Sequence, residues 1–354
     1  MTGSAGVASG PRRGAGDAVA RAVRHTWSVE APTGRDRALS MLLAPATGLW
    51  WGATRLRNAW YDRAGGRTVP DIAVVSVGNL VVGGTGKTPL VSWVVARLRA
   101  AGLRPAVVLR GYGRDEILLH RRWHPDVPVH VDPDRVAAVE AARAGGADVA
   151  VLDDGFQHRR LARDLDVVLL AAEDPFPGRC LPSGPYREPL RGLARAGAVV
   201  VTRRTASAER AREVARATAT WTDAPVARVL FRPGRWLDLA GRAVAPPDGP
   251  VLVAAAVARP EAVRVAVAAA LPGARDIEIL PFPDHHEYAA PDLALLRARG
   301  AGRTVVVTEK DAVKLEGLEG LPADVRVLAA ELAWEEGERA LETRILAAAR
   351  GRGA

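Results

Sequence analysis

The stretch Ile72-Ala73-Val74-Val75-Ser76-Val77 leads into Gly83-Gly84-Thr85-Gly86-Lys87-Thr88, and this order of buried strand, glycine-rich loop and Lys-Thr helix start narrows the fold more than any other feature. Glycines free the backbone beside an anion, and N–H groups at a helix start favour negative charge. Gly83, Gly84, Thr85, Gly86, Lys87 and Thr88 therefore read as a phosphate-binding loop. Lys87 would reach the β- and γ-phosphates of a nucleoside triphosphate and the Thr88 hydroxyl its Mg²⁺. Counting back from Gly86 puts Val81 where the generic G-x-x-x-x-G-K-[ST] loop has its first glycine. A flexible turn is the plain alternative; a strand before it and a helix after it argue otherwise.

Of the 49 lysines and arginines in the 354 residues, only Lys87, Lys310 and Lys314 are lysine. Arginine thus serves wherever any positive charge suffices, and Lys87 stands where a compact ammonium fits among backbone N–H groups and a planar guanidinium does not. Lys310 and Lys314, four apart, fall on one helix face near the expected site. A net charge of +9 favours anionic partners, among them nucleic acid, a membrane surface or a phosphorylated substrate. The charge is spread along the chain without basic blocks interleaved with aromatics, which argues against nucleic acid. The single Cys180 excludes a disulfide framework and a cysteine-based metal cluster, and suits a reducing cytosol.

Residues 1–36, rich in Gly, Ala and Arg, read as a disordered tail without a secretory signal. Residues 37–66 read as an amphipathic, membrane-associated segment. Met41 to Thr54 is largely apolar but too short to span a bilayer, which takes ~20 residues. Leu49, Ala53, Leu56 and Trp60 draw an apolar helical stripe with Arg55, Arg57 and Asn58 off it, and Trp50, Trp51, Trp60 and Tyr61 suit a headgroup boundary. An ordinary helix packed on the domain through that stripe is the alternative.

Beyond the loop, near-continuous Val, Ala and Leu runs alternate with helical patterns: strands at 104–110, 147–152, 165–171 and 197–202, and a helix at 134–144. Runs without polar alternation imply a parallel sheet buried on both faces, with ligands beyond the strands' carboxyl ends. The fold expected is α/β: a P-loop parallel-sheet domain over 67–235 and a smaller α/β domain over 236–354, with strands at 226–235, 251–257 and 304–308 and a closing helix from Trp334 to Ala349.

Asp153-Asp154 ends the strand Val149-Ala150-Val151-Leu152, where a phosphate-loop enzyme places an acid for Mg²⁺. A helix-capping turn is the alternative. His285-His286 beside Asp284 lacks further ligands at suitable spacing, which rejects zinc. Arg159, Arg160 and Arg163 suit an anionic substrate, a membrane or a solvated face. Thr308-Glu309-Lys310-Asp311 fails as a guanine-reading N-K-x-D element, because Glu309 stands where lysine is required.

Asp153 to Asp164, Leu181 to Leu190, Phe282-Pro283-Asp284-His285-His286 and Thr308 to Val313, together with Ser76 to Pro89 and Leu109-Arg110-Gly111-Tyr112-Gly113-Arg114, resemble the tetraacyldisaccharide 4′-kinases of lipid A synthesis from about residue 37 to the C-terminus. The resemblance implies transfer of the γ-phosphate of ATP to the 4′-hydroxyl of a lipid A disaccharide 1-phosphate at the cytoplasmic face of the inner membrane. It places Lys87 on the β/γ-phosphates, Thr88, Asp153, Asp154 and Glu188 around the metal, and Arg187, Arg110, Gln157 and His158 toward substrate or phosphate. The family's Gly-Asp-Glu triplet matches Arg114-Asp115-Glu116, making Asp115 the base and His285 its partner. The variable stretch that usually precedes that triplet is missing here. Rival readings are a partitioning-type ATPase switch, which needs lysine at Val82, a metal-insertion GTPase, which lacks its guanine element, and a non-catalytic scaffold.

Overall fold

A computed structural model of the chain describes Val23, Trp27, residues 34–111 and 113–351, without the side chains of 34–37. The expected tail lies almost wholly outside these residues, though helix α1 (Gly34–Ala64) begins within it. Strand β1 (Ala73–Asn79) is buried at every position, as its Val-rich run demands, and leads through the glycine loop to α2 (Lys87–Ala100). There follow β2 (Pro105–Leu109), α3 (Arg114–Trp123), β3 (Val129–Val131), α4 (Arg135–Ala144), β4 (Val149–Asp153), β5 (Leu165–Ala171), β6 (Ala198–Arg203), α5 (Ala208–Thr218) and β7 (Val226–Leu237). The remainder is β8 (Val251–Ala255), α6 (Pro260–Ala270), β9 (Ile277–Pro281), α7 (Ala290–Arg299), β10 (Thr304–Thr308), α8 (Glu309–Leu315), β11 (Val325–Glu336) and α9 (Glu338–Arg350).

Among the described residues the eleven strands form one sheet in the order β3-β2-β4-β1-β5-β6-β7-β11-β10-β8-β9. Its pairs are parallel except β7 with β11, which run antiparallel from Val327↔Leu237 to Glu336↔Arg228. Two parallel halves thus meet at one antiparallel seam. In the first half the chain fills one side of β1 through β4, then crosses to β5 on the other side. That reversal opens a crevice beyond the carboxyl end of β1, where the glycine loop lies. One face of β1 packs Ala73, Val75 and Val77 against Leu90, Val94 and Leu98 of α2. Leu341, Ile345 and Ala349 of α9 join that same core, so the C-terminal helix returns to the first half of the sheet. The other face packs Val74 with Val136 and Val139 of α4.

The closing helix expected from Trp334 starts only at Glu338. Trp334 pairs with Val229 across the seam and packs its ring 4.8 Å from that of Trp93, so strand pairing overrides the local apolar pattern.

Helix α1 inverts the packed-helix alternative. Its stripe faces outward, with Leu49 77% and Leu56 74% exposed and Trp60 and Ala53 also exposed. The polar side meets the protein instead. The Thr47 and Ser183 hydroxyls lie 2.6 Å apart, the Trp50 indole donates to the Arg187 carbonyl (2.8 Å), and the Asn58 amide donates to Glu188 (2.9 Å). No helix among the described residues is long and apolar enough to cross a membrane.

Candidate active site

The glycine loop is braced from beneath. The buried Asn79 amide donates to Thr85 Oγ1 (2.9 Å), the Thr202 hydroxyl to the Thr85 carbonyl (2.9 Å), and Arg204 to the Gly84 carbonyl (3.1 Å). Burial lowers the Arg204 guanidinium to about 10, with Glu173 working the other way, and the group lies 4.6 Å from the Phe231 ring centroid. Gly86 has φ +94°, and a Cβ there would sit 2.3 Å from that ring, so only glycine fits. Val81 and Val82 strap the loop's start to the segment before Arg187, through a bridge to Tyr186 and a 2.9 Å bond from the Val82 N–H to the Pro185 carbonyl. No side chain caps α2, which leaves its first-turn donors to an anion. Thr88 is buried in that turn, beside Lys87.

Across the crevice, Asp153 ends β4 and Asp154 follows with φ +62°. Asp153 Oδ2 meets the buried His120 Nε2 at 3.2 Å, while its Oδ1 is buried without a hydrogen-bond partner. Asp154 lies 3.6 Å from Lys87 Nζ and accepts from Arg187 at 2.9 and 2.8 Å. Burial opposes ionisation of Asp154, yet Lys87 and Arg187 together hold its carboxyl below the usual range. The orphaned Oδ1, the second carboxylate and the Thr88 hydroxyl fit Mg²⁺, which takes one or two carboxylates and completes its shell with water and phosphate oxygens. That sparse demand is consistent with the finding that no three His, Cys, Asp or Glu side chains converge on a metal position among the described residues.

Glu188, expected near the metal, is held by protein donors. It is fully buried, and its oxygens accept from Arg195 (3.0 and 2.9 Å), Asn58 (2.9 Å) and Gln157 (3.1 Å). Those donors anchor it in the wall of the crevice. Gln157 also donates to the Asn79 carbonyl (2.8 Å) and accepts from Arg187 (3.2 Å), which ties the loop, Arg187 and Glu188 into one network.

The second half of the sheet supplies the partner of Asp115. Asp115 Oδ1 lies 2.9 Å from His285 Nδ1 and accepts from the Glu116 N–H at 2.9 Å. Donating to the Asp115 carboxylate raises the His285 pKa against its burial. Burial works against the charged form of Asp115, but His285 and two lysines outweigh it and hold the carboxyl below its usual value. Burial and the charge of Asp153 push Glu116 up. Helix α3 is tied to α8 beyond this pair: the Trp123 indole donates to Glu309 (2.9 Å), and Arg122 pairs with Glu316. His286 is not at the site's centre; it meets Asp292 at 2.9 Å.

Arg110 is exposed at the end of β2, and the half-buried His158 leaves its buried Nε2 without a hydrogen-bond partner. Between them in electrostatic terms stands Arg135, a residue not anticipated from sequence. Its guanidinium is buried, donates to the Asp132 carbonyl (3.2 Å) and lies within range of Arg110, Asp153 and Asp154, while burial and Arg110 lower its pKa. Burial, and then Arg135, lower that of His158. The only sequence signal was its place in the turn Asp132-Pro133-Asp134-Arg135 at the start of α4. Arg159 and Arg163 are committed to Asp62 (2.7 Å) and Asp166 (2.9 Å), and Arg160 to Asp134 (3.1 Å). Asp311 is buried and accepts from Tyr288 (2.9 Å) and the Ala256 N–H (3.1 Å), which ties its carboxylate into the fold. A cavity of 490 Å³ lined by Trp221, Asp223 and Arg344 contains none of these side chains.

A family model described as LpxK, tetraacyldisaccharide-1-P 4′-kinase, matches residues 39–117 and 115–350. The tetraacyldisaccharide 4′-kinase of Anaeromyxobacter sp. (strain Fw109-5) is 41% identical over 328 residues, 82% of this chain and 86% of its own length. That of Syntrophus aciditrophicus (strain SB) is 34% identical over 355 residues, 87% and 93% of the two. The crystal structure of the "apo" form of LpxK from Aquifex aeolicus in complex with ATP is similar at TM-score 0.70 and 28% identity, over 88% of this chain and 99% of that one.

Proposed function

The chain belongs to the tetraacyldisaccharide 4′-kinase family, and from that premise we propose how its residues divide the work. Its reaction is the ATP-dependent phosphorylation of a tetraacyldisaccharide 1-phosphate in lipid A biosynthesis. Phosphoryl transfer asks for positioning and charge neutralisation more than for covalent chemistry. Residues 83–88 cradle the phosphates of ATP, with Lys87 on the β/γ-oxygens. Thr88, Asp153 and Asp154 would hold Mg²⁺, which would supply neutralisation of the phosphate charge. Arg187 steers Asp154 and faces the phosphates; Gln157 and Glu188 fix Arg187 and the loop. Arg110, Arg135 and His158 offer positive charge and a vacant ring nitrogen to the substrate's anionic end. Asp115 takes the proton of the 4′-hydroxyl, with His285 setting its orientation.

The observation that carries this reading is the 2.9 Å contact between Asp115 and His285, which come from opposite sides of the seam and meet near the phosphate loop. It also supports two lobes, 67–235 and 236–336, with α9 returning to the first. With Mg-ATP and the disaccharide 1-phosphate, the purified protein should yield a product heavier by one phosphate. Lys87→Ala and Asp115→Asn should each lower kcat by about 10²–10⁴-fold; unchanged rates in both would refute the assignment. Attachment is peripheral in this reading: the outward stripe of α1 lies in the inner membrane's cytoplasmic surface, with flanking arginines toward anionic headgroups.

A further inference from the structure

Lys310 and Lys314 of α8 converge on Asp115, so with Lys87 all of the chain's lysines border the same crevice. Lys314 is 1% exposed; its Nζ lies 3.9 Å from Asp115 Oδ2 and 3.7 Å from Asp311 Oδ1, and donates to the His286 carbonyl at 2.8 Å. Lys310, 24% exposed, stands 4.0 Å from the same Asp115 oxygen and 3.2 Å from Glu116. The two oxygens of Asp115 differ sharply. Oδ1 accepts from His285 and from the Glu116 N–H, whereas Oδ2 is buried and accepts nothing. Two ammoniums just beyond hydrogen-bond range supply field without a donated proton. A guanidinium in their place would bond Oδ2 through its planar fork and occupy its lone pairs. That difference is a physical reason for lysine at both positions.

We propose that Lys310 and Lys314 are positioning residues for the phosphoryl transfer: they hold Asp115 as a carboxylate with Oδ2 unbonded, which makes Oδ2 the atom that takes the hydroxyl proton. This rests on the reading of Asp115 as base. The hydroxyl O–H bond breaks and its proton passes to Oδ2. The freed oxygen pair forms the new bond to the γ-phosphorus, and the bond to the bridging oxygen breaks with its pair leaving on ADP.

The charged groups facing Asp115 are Glu116 on its own helix, His285 with Asp284 behind it, and Lys310 and Lys314, the latter shared with Asp311. Burial raises the Asp115 pKa; His285 and then the lysines bring it below its usual value. Activity is therefore lost as pH falls through that depressed pKa, and removing a lysine moves the loss to higher pH. The pH profile of kcat for Lys310→Met and Lys314→Met tests this. The acid limb should rise by about 1 unit or more, with the rate lost at low pH regained as pH increases. Lys314→Arg should leave the limb in place while lowering kcat at every pH. A purely structural role lowers kcat without moving the limb, and an unmoved limb in both Met variants overturns the proposal. Should Lys314→Met fail to fold by thermal melting, the part-exposed Lys310→Met decides alone. Asp115→Asn separates the two ideas: if inactive at every pH while the limb is unmoved, the lysine role alone fails; if active, the base assignment fails and takes the lysine role with it.

Discussion

Asp115 and Glu188 are both fully buried acids near one crevice, and the donors around them give them different work. Glu188 meets a guanidinium and two amides and has little left to offer, whereas Asp115 and Asp153 each keep one oxygen without a partner. A buried acceptor left unpaired costs about 1–3 kcal/mol, which is tolerable where a proton or a cation is to be received. Gly113 is part of the same economy of space: its φ is +95°, and a Cβ there would lie 2.6 Å from His285 Nδ1 and 2.7 Å from Asp115 Oδ1. Gly113→Ala should destabilise the protein by about 1–3 kcal/mol through backbone strain and lower kcat more than it alters the KM for ATP, as read by denaturant titration and steady-state kinetics. The loop that carries Lys87 and the strand end that carries Asp153 were readable as short local motifs, whereas Asp115 was reached only through the family resemblance. The occupation of Glu188 was not readable, since Asn58 stands 130 residues away, and neither was Arg135, whose turn looks ordinary until Asp153 and Arg110 are brought beside it.

Among the elements, α1 shows what periodicity tells and what it leaves open. The apolar stripe was readable from spacing; which side faces the protein was not, because Thr47, Trp50 and Asn58 find their partners between residues 183 and 188. Leu49→Glu, Leu56→Glu and Trp60→Glu together should release the protein from vesicles containing anionic lipid while leaving its melting temperature within a few degrees, since these side chains touch solvent and not the core. Undiminished sedimentation with such vesicles would exclude this helix as the attachment. These substitutions leave Asn58 on Glu188 and Trp50 on Arg187 in place. In β11, a helical reading of Trp334 gave way to the ladder with β7, a partner about 100 residues earlier that no local pattern announces.

For the whole molecule, the parallel halves and the crevice beyond β1 were legible as alternating strands and helices, but their fusion into a single sheet was not. Nor was the return of α9, whose apolar face has the same periodicity whichever core it joins. Leu341 is 2% exposed among β1 and α2 residues, so Leu341→Ala should cost about 2–5 kcal/mol and shift the unfolding midpoint of the phosphate-loop half, followed by denaturation with and without ATP. An unchanged midpoint would place α9 outside that core. Along the seam, the pairing of β7 and β11 slips register between Leu328 and Ala330 and again between Trp334 and Glu336, which adds local twist to the ribbon. Pulling the halves apart breaks ladder hydrogen bonds, whereas rotating them about the strand axis does not. The seam therefore fixes the spacing of the two halves, and the 2.9 Å meeting of Asp115 with His285 depends on the angle that this ribbon holds.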